Sequence, residues 1–486
     1  MSNSRITHHA SRIANPTQSK VALTALVVIT AVLAGLILAF GGPLAAAGIV
    51  IAGVAVLVVL QNIEVGFWGL IAVVCLLPFA TLPFDIGLTP TFLDLAIAAV
   101  VGVWALRLVT GQQRTIITSP VTLPLLIFLL VALFAFIFGM SNGPLTPTLL
   151  RKFAELLLSL FFVIVVIDYC TTWERLERLV KVILLAAMGA SLLAIGLWLL
   201  PEDTANTILN YLVRLGYPGG WVIRYIEENP ALSERAIGTS VDPNVLGGLL
   251  LMLGSLAGPQ LVAKRPLFKR WFTIIIVGTI FLALILTFSR SAMVGLACGL
   301  GFVAVMRYRK LIPYMVVGGL FLLLLPFAQE YIVRFTEGVQ GEDLATQMRF
   351  GEYKDALTLI QRDPILGVGF AGTPDIDTYL GVANVYLTIA QTMGLVGLLA
   401  FFAVVFTVFG YAFLHRHIFK QNDLMDPIWL GLHAALVGAL VAGVFDHYLF
   451  NLEFHHAVTA FWLFVGLAVA STRLGVVAAE AENDID

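Results

Sequence analysis

Three arginines stand where an anion would be held: Arg235, Arg290 and Arg349. Each lies in a polar stretch between long apolar ones: Arg235–Asn244, Thr287–Ser291 and Gln347–Arg362. Guanidinium stays charged at physiological pH and offers phosphate oxygens a planar fork of donors. Three such groups converging from separate stretches suit a pyrophosphate, at on the order of 1.5–3 kcal/mol for each charge-assisted contact. A proton acceptor is at hand in His447, because histidine titrates near neutrality.

Each stretch also has an ordinary reading. Asp242 and Pro243 fit an N-cap followed by proline at the first helical position. That leaves Arg235 and Asn244 unexplained, and an arginine above a helix mouth suits an anion because helix N-termini carry partial positive charge. Arg290 joins two apolar runs with almost no loop, so it is pinned at the membrane surface, where arginine is costly and tends to be functional. Its alternative is a snorkelling side chain among headgroups. Ser289 beside it can cap the next helix and share a phosphate. Arg349 falls on the same face as Tyr353, Ala356, Leu357 and Ile360 of an amphipathic helix lying on the membrane surface. Its alternative is pairing with Glu352 or Asp355. The stretch Asp363–Phe370 reads as a helix stop and turn; without a Walker lysine it is a poor phosphate loop. The loop Asp446–His456 holds His447, His455 and His456. No second cluster supports a metal there, and packing suits His455 and His456 better. Glu155 reads as an ion-pair partner of Arg151, and Asp94 is a further intramembrane carboxylate.

The elements that must position these residues are membrane helices. Of 486 residues, 59% are hydrophobic and only 12% charged, against about 45–50% and about 25% in soluble proteins. This excludes a water-soluble enzyme, a disordered chain and, with a net charge of −2, a nucleic-acid binder. Apolar runs at 21–40, 43–60, 66–84, 91–109, 121–140, 153–168, 179–200, 243–263, 271–288, 291–307, 311–328, 392–414, 428–446 and 456–472 are candidate spans, about 12–14 helices in all. The expected fold is therefore an all-α polytopic bundle, with a tail at 1–20, a membrane domain at 21–472 and an acidic tail at 473–486 that is disordered from Glu480. Most of the 28 basic residues fall in alternate connections if the N-terminus is inside, which places both termini in the cytoplasm. Two long outer segments remain, 201–242 and 329–383, and loops of that length are usually functional. Cys75, Cys170 and Cys298 read as small buried hydrophobes.

Taken in order, Arg235–Asn244, Thr287–Arg290, Arg349–Gly369 and Ala383–Leu398 resemble the O-antigen ligase/polymerase family, the Wzy-type and WaaL-type membrane glycosyltransferases. The likeness runs through the second half of the chain. It implies a GT-C-like fold and a donor glycan on polyprenyl pyrophosphate, with no nucleotide-sugar site, metal or other cofactor. Arg235, Arg290 and Arg349 would hold the pyrophosphate leaving group and neutralise its charge in place of a metal. Asn244, Ser289 and Asn384 would support the helix mouths, and an acceptor hydroxyl would attack with inversion. One position departs: Ala383 precedes Asn384 where many members have histidine, a base or acceptor-positioning group in the ligases. His447 and Asp377 are the catalytic candidates in its place, with Asp375 nearby. The expected function is polymerisation of lipid-linked repeat units at the outer face of a bacterial inner membrane. A flippase and a chain-length regulator are the expected protein partners. The alternatives are a ligase passing a finished glycan to a lipid or protein, a lipid-linked-glycan transporter or flippase, and a non-catalytic scaffold. Transporters concentrate polar residues at midmembrane, whereas here they gather in two unequal outer loops.

Overall fold

The computed structural model describes residues 53, 56–82, 89–113, 115–323, 344–373, 381–420 and 422–483. Helices dominate them. The first half holds α1 (Ile63–Leu76), α2 (Phe92–Val109), α3 (Thr122–Phe138), α4 (Pro147–Tyr169) and α5 (Trp173–Leu199), then a short helix α6 (Glu202–Tyr211). The second half holds α7 (Pro243–Val262), α8 (Arg270–Leu286), α9 (Arg290–Met306), α10 (Ile312–Leu323), α11 (Leu344–Arg362), α12 (Val385–Phe419), α13 (Met425–Ala442) and α14 (His455–Asn483). Two-residue strands, β1 (Arg224–Tyr225) and β2 (Glu234–Arg235), pair antiparallel with Arg224 opposite Arg235.

Seven of the described helices are long and apolar enough to cross a membrane, and α1, α8 and α9 are shorter apolar helices beside them. Large apolar side chains point outward: Phe406 is 70% and Leu399 69% exposed. Backbone polar groups in lipid must be satisfied within each segment, which helices do. The protein is an all-α polytopic membrane protein.

The sequence sets the helix starts. Thr91 and Asp94 exchange bonds in a capping box at α2. Thr146 caps α4, with Pro147 in its first turn, and Asn384 caps α12. In the centre, α7, α13 and α14 are buried on nearly all sides. Small residues let α7 and α13 close on α9. A Cβ on Gly295 would lie 2.6 Å from the Gly438 carbonyl oxygen, and one on Gly299 would lie 2.7 Å from that of Ala434. Close approach of this kind gains the dispersion contacts that hold helices together in lipid.

At one end of the bundle Arg151 bonds Asp94 at 3.0 Å and also Glu155. His455 Nε2 lies against Glu155 Oε2 in turn. The expected Arg151–Glu155 pair is thus part of a four-residue network joining the starts of α2, α4 and α14. His456 packs edge-on to Phe79.

Several boundaries differ from the sequence reading. The runs begun at 153 and 392 start earlier, at Pro147 and Val385, because polar caps rather than hydropathy set the first turn. The span at 21–40 and most of that at 43–60 lie outside the described residues. The segment 201–242 is no bare loop: Ala205, Leu209, Val222, Ile223, Tyr225 and Ile237 form a small apolar cluster. The last helix continues through Asn483, past Glu480, where disorder was expected. Cys75 and Cys170 are buried, whereas Cys298 is exposed: it lies on α9, away from the face that packs through Gly295 and Gly299.

Candidate functional site

Three helix mouths and one loop build the site. Asp242 caps α7, its Oδ1 accepting from the amides of Asn244 at 2.8 Å and Val245 at 3.0 Å. Arg235 then binds the first turn from above, donating from Nη2 to Asn244 Oδ1 at 2.7 Å. Its Nε donates to the Thr287 carbonyl at 2.8 Å. One guanidinium therefore ties the mouth of α7 to the turn that carries Ser289 and Arg290. Ser289 is the N-cap residue of α9 and packs against Gly247, where a Cβ would lie 2.9 Å from its own. The residue before each cap is left-handed, Val241 at φ 62° and Phe288 at φ 52°. For bulky residues this is strained, at roughly 1–3 kcal/mol each, and such strain gathers at functional sites.

The third mouth is that of α12. Asn384 accepts from the Leu387 amide at 2.9 Å and donates to the Val444 carbonyl at 2.9 Å. The amphipathic helix α11 lies over this mouth. Glu352 accepts from the Ala383 amide at 2.9 Å, and the Tyr353 hydroxyl donates to the Ala383 carbonyl at 3.4 Å. Beyond α11 the chain turns and plugs a break in α12. Gly394 sits at φ 67°, ψ −175° inside that helix. The backbone groups around the break are met by the turn: Val368 N–H donates to Gln391, Gly369 N–H to Thr392, and Leu395 N–H to Pro364, at 2.8–3.0 Å. The turn is possible because Gly367 has φ 69° and lies where a Cβ would meet backbone at 2.6 Å.

The loop between α13 and α14 closes the site. Asp446 is buried and accepts from the His447 amide at 2.9 Å. Burial, with the nearby Asp242 carboxylate, pushes its carboxyl up to about 7, while Arg349 and Arg235 pull the other way. Arg235 and Arg349, from segments far apart in sequence, thus act on one carboxylate. His447 lies in the same field. Burial and Arg349 hold its imidazole below the usual histidine range, against Glu352 and Asp242. It is therefore neutral at pH 7, the form that accepts a proton. Its Nδ1 is 3.7 Å from Asp446 Oδ1. Burial also raises the Tyr353 hydroxyl.

Residues 274–402 match the family model described as O-antigen ligase. Over that stretch the chain is similar to the O-antigen ligase family. This is the family whose likeness was read from the motifs. It is a family of O-antigen ligase/polymerase-type membrane glycosyltransferases acting on lipid-linked glycan. No curated protein matches the chain.

The matched stretch contains Ser289, Arg290, Arg349 and Asn384, whereas Arg235, Asn244 and His447 lie outside it. Arg235 bonds Asn244 beside the Asp242 cap, and His447 bonds Asp446; Arg349 and Arg235 reach Asp446 through their charge. The structure places Arg290 at the adjoining mouth through its backbone. Asp375 and Asp377 lie outside the described residues. Among the described residues, no group of three or more His, Cys, Asp or Glu side chains is placed to hold a metal. Three members of the site were not singled out from sequence. Asp446 was quoted only as the start of a histidine-rich loop, Glu352 only as a partner for Arg349, and Tyr353 only as an apolar-face residue. The available signal was position: Asp446 adjoins His447, and Glu352 lies close to Arg349 along one helix.

Proposed function

We propose that the protein polymerises glycan repeat units carried on polyprenyl pyrophosphate at the outer face of a bacterial inner membrane. Arg235, Arg290 and Arg349 hold the pyrophosphate of the donor. A hydroxyl oxygen of the acceptor unit attacks the anomeric carbon from the face opposite the pyrophosphate. The new C–O bond forms as the bond to the pyrophosphate oxygen breaks, and that oxygen leaves with the electron pair. The configuration inverts. Arginine charge stabilises the negative charge that develops there, so the step runs without a metal. His447 takes the hydroxyl proton, and the Asp446 carboxylate stabilises the imidazolium that results. The observation that supports this reading is the tie that Arg235 makes from Asn244 at the mouth of α7 to the Thr287 carbonyl of the turn bearing Arg290, with Asp446 and His447 hydrogen-bonded to each other in the loop that adjoins it.

Ala383 supports polymerase over ligase, since the ligase position that holds histidine has no side chain to act as a base here. The description of the matched family favours the second reading, a ligase transferring a finished glycan. Purified protein incubated with lipid-linked repeat units separates them. A ladder of lengthening products supports polymerisation, a single transfer to a different acceptor supports ligation, and no glycosidic bond at all refutes both.

A further inference from the structure

The opposite end of the bundle holds a polar cavity. Asp94, Arg151, Glu155 and His455 mark the end that carries the His447 loop. Arg107 follows Asp94, and Asp168 follows Glu155, by the same number of residues. At 1.5 Å per residue both lie about 20 Å away along their helices. There the ends of α2 and α4 and the start of α5 enclose a cavity of about 190 Å³ with Arg107, Thr115, Asp168, Thr171 and Arg175 in its wall.

Asp168 organises this wall. Its carboxylate accepts from Trp104 Nε1 at 2.6 Å, from the Ile117 amide at 2.7 Å and from the side-chain amide of Gln113. Both of its oxygens are therefore engaged. Arg175 is fixed in place by the Tyr169 carbonyl and the Thr171 hydroxyl, each at 3.1 Å, and lies over the Tyr169 ring. Among the described residues neither Arg107 nor Arg175 has a carboxylate ion-pair partner. Asp168 offsets one of the two positive charges and leaves the cavity net positive. Two guanidinium groups sharing one cavity repel unless an anion lies between them, and their forks suit phosphate oxygens. Ile63 and Ile117 supply an apolar side to the same opening.

We propose that this cavity binds a phosphate group at the membrane face opposite the candidate active site. A phospholipid headgroup and a soluble phosphate ester share that chemistry, and the test separates them. Full-length protein is purified in detergent and followed by native mass spectrometry. It is titrated with phosphatidylglycerol, with diacylglycerol, which lacks phosphate, and with inorganic phosphate. One retained phosphatidylglycerol is expected, with diacylglycerol bound at least ~10-fold more weakly. Arg107→Gln and Arg175→Gln should each cut retention at least ~5-fold. Arg309→Gln, an exposed arginine outside the cavity, should leave it unchanged. Displacement of the lipid by sub-millimolar inorganic phosphate supports the phosphate site and assigns its occupant to the aqueous phase. Equal retention by wild type and the double variant, or equal binding of diacylglycerol, overturns the proposal. Arg107 bonds nothing through its side chain among the described residues, so its variant should keep the wild-type melting temperature, and loss of lipid from it cannot be ascribed to unfolding.

Discussion

Gly248 on α7 faces the ring of Tyr448 so closely that a Cβ there would overlap the ring carbons. Tyr448 is fully buried and directly follows His447. The glycine is thus the seat on which the Asp446–Tyr448 turn rests. Gly248→Ala should push the ring out and move His447 with it. Overpacking of this kind typically costs about 1–3 kcal/mol. A lowered melting temperature is expected, together with transfer activity reduced beyond what the folded fraction explains. Wild-type activity in a stable Gly248→Ala protein would show that the position of His447 does not matter.

Arg290→Ala and Arg349→Ala should each cut polymer formation severely while protein level stays normal. One lost charge-assisted contact is worth about 1.5–3 kcal/mol, or roughly 10- to 100-fold in rate. Arg→Lys at either position should rescue poorly, since an ammonium lacks the fork. Arg235→Lys should also lower stability, because Arg235 ties Asn244 to Thr287. Single-turnover transfer together with thermal melting distinguishes the two kinds of loss.

The pH dependence follows from the Asp446–His447 pair. The carboxyl of Asp446 titrates at about 7, so it is protonated in acid and ionised above neutrality. His447 loses its proton below the usual histidine range. Both groups are thus deprotonated above about pH 7, the state proposed for catalysis. Activity should rise through pH 7 and fall in acid. Asp446→Asn should remove the limb near 7 while His447 still accepts a proton. A profile identical to wild type in both Asp446→Asn and His447→Gln would exclude the pair from the reaction.

Asn384→Ala should cost the α12 cap, typically about 1 kcal/mol, and the bond to the Val444 carbonyl, about 0.5–1.5 kcal/mol. Asn384→Asp keeps the cap acceptor and loses only the donor. The melting temperature of the aspartate variant should therefore fall between those of wild type and the alanine variant.

The seven long apolar helices among the described residues were legible because lipid imposes a single rule, an apolar run of fixed length. The Asp242–Pro243 cap was legible because capping is local chemistry. The arginines were legible as unusual residues beside apolar runs. What stayed hidden depends on contacts distant in sequence. Nothing near Arg235 reveals that its fork reaches Thr287, and nothing near Glu352 reveals the Ala383 amide. Asp446 escaped notice because an acidic residue in a polar loop is unremarkable until burial and two distant arginines are seen around it. Polar residues along 201–242 likewise concealed six apolar side chains whose clustering only the folded path brings about.

The interrupted helix α12 has a mechanical consequence. Its gap at Gly394 takes partners from the turn that follows α11, so the lid bearing Arg349 is latched to a helix long and apolar enough to cross the membrane. Lifting that lid away would strip amides of their acceptors where no water can replace them. Upward opening of that flap is therefore costly, and a lipid-borne sugar is better served by sliding in sideways beneath a fixed roof.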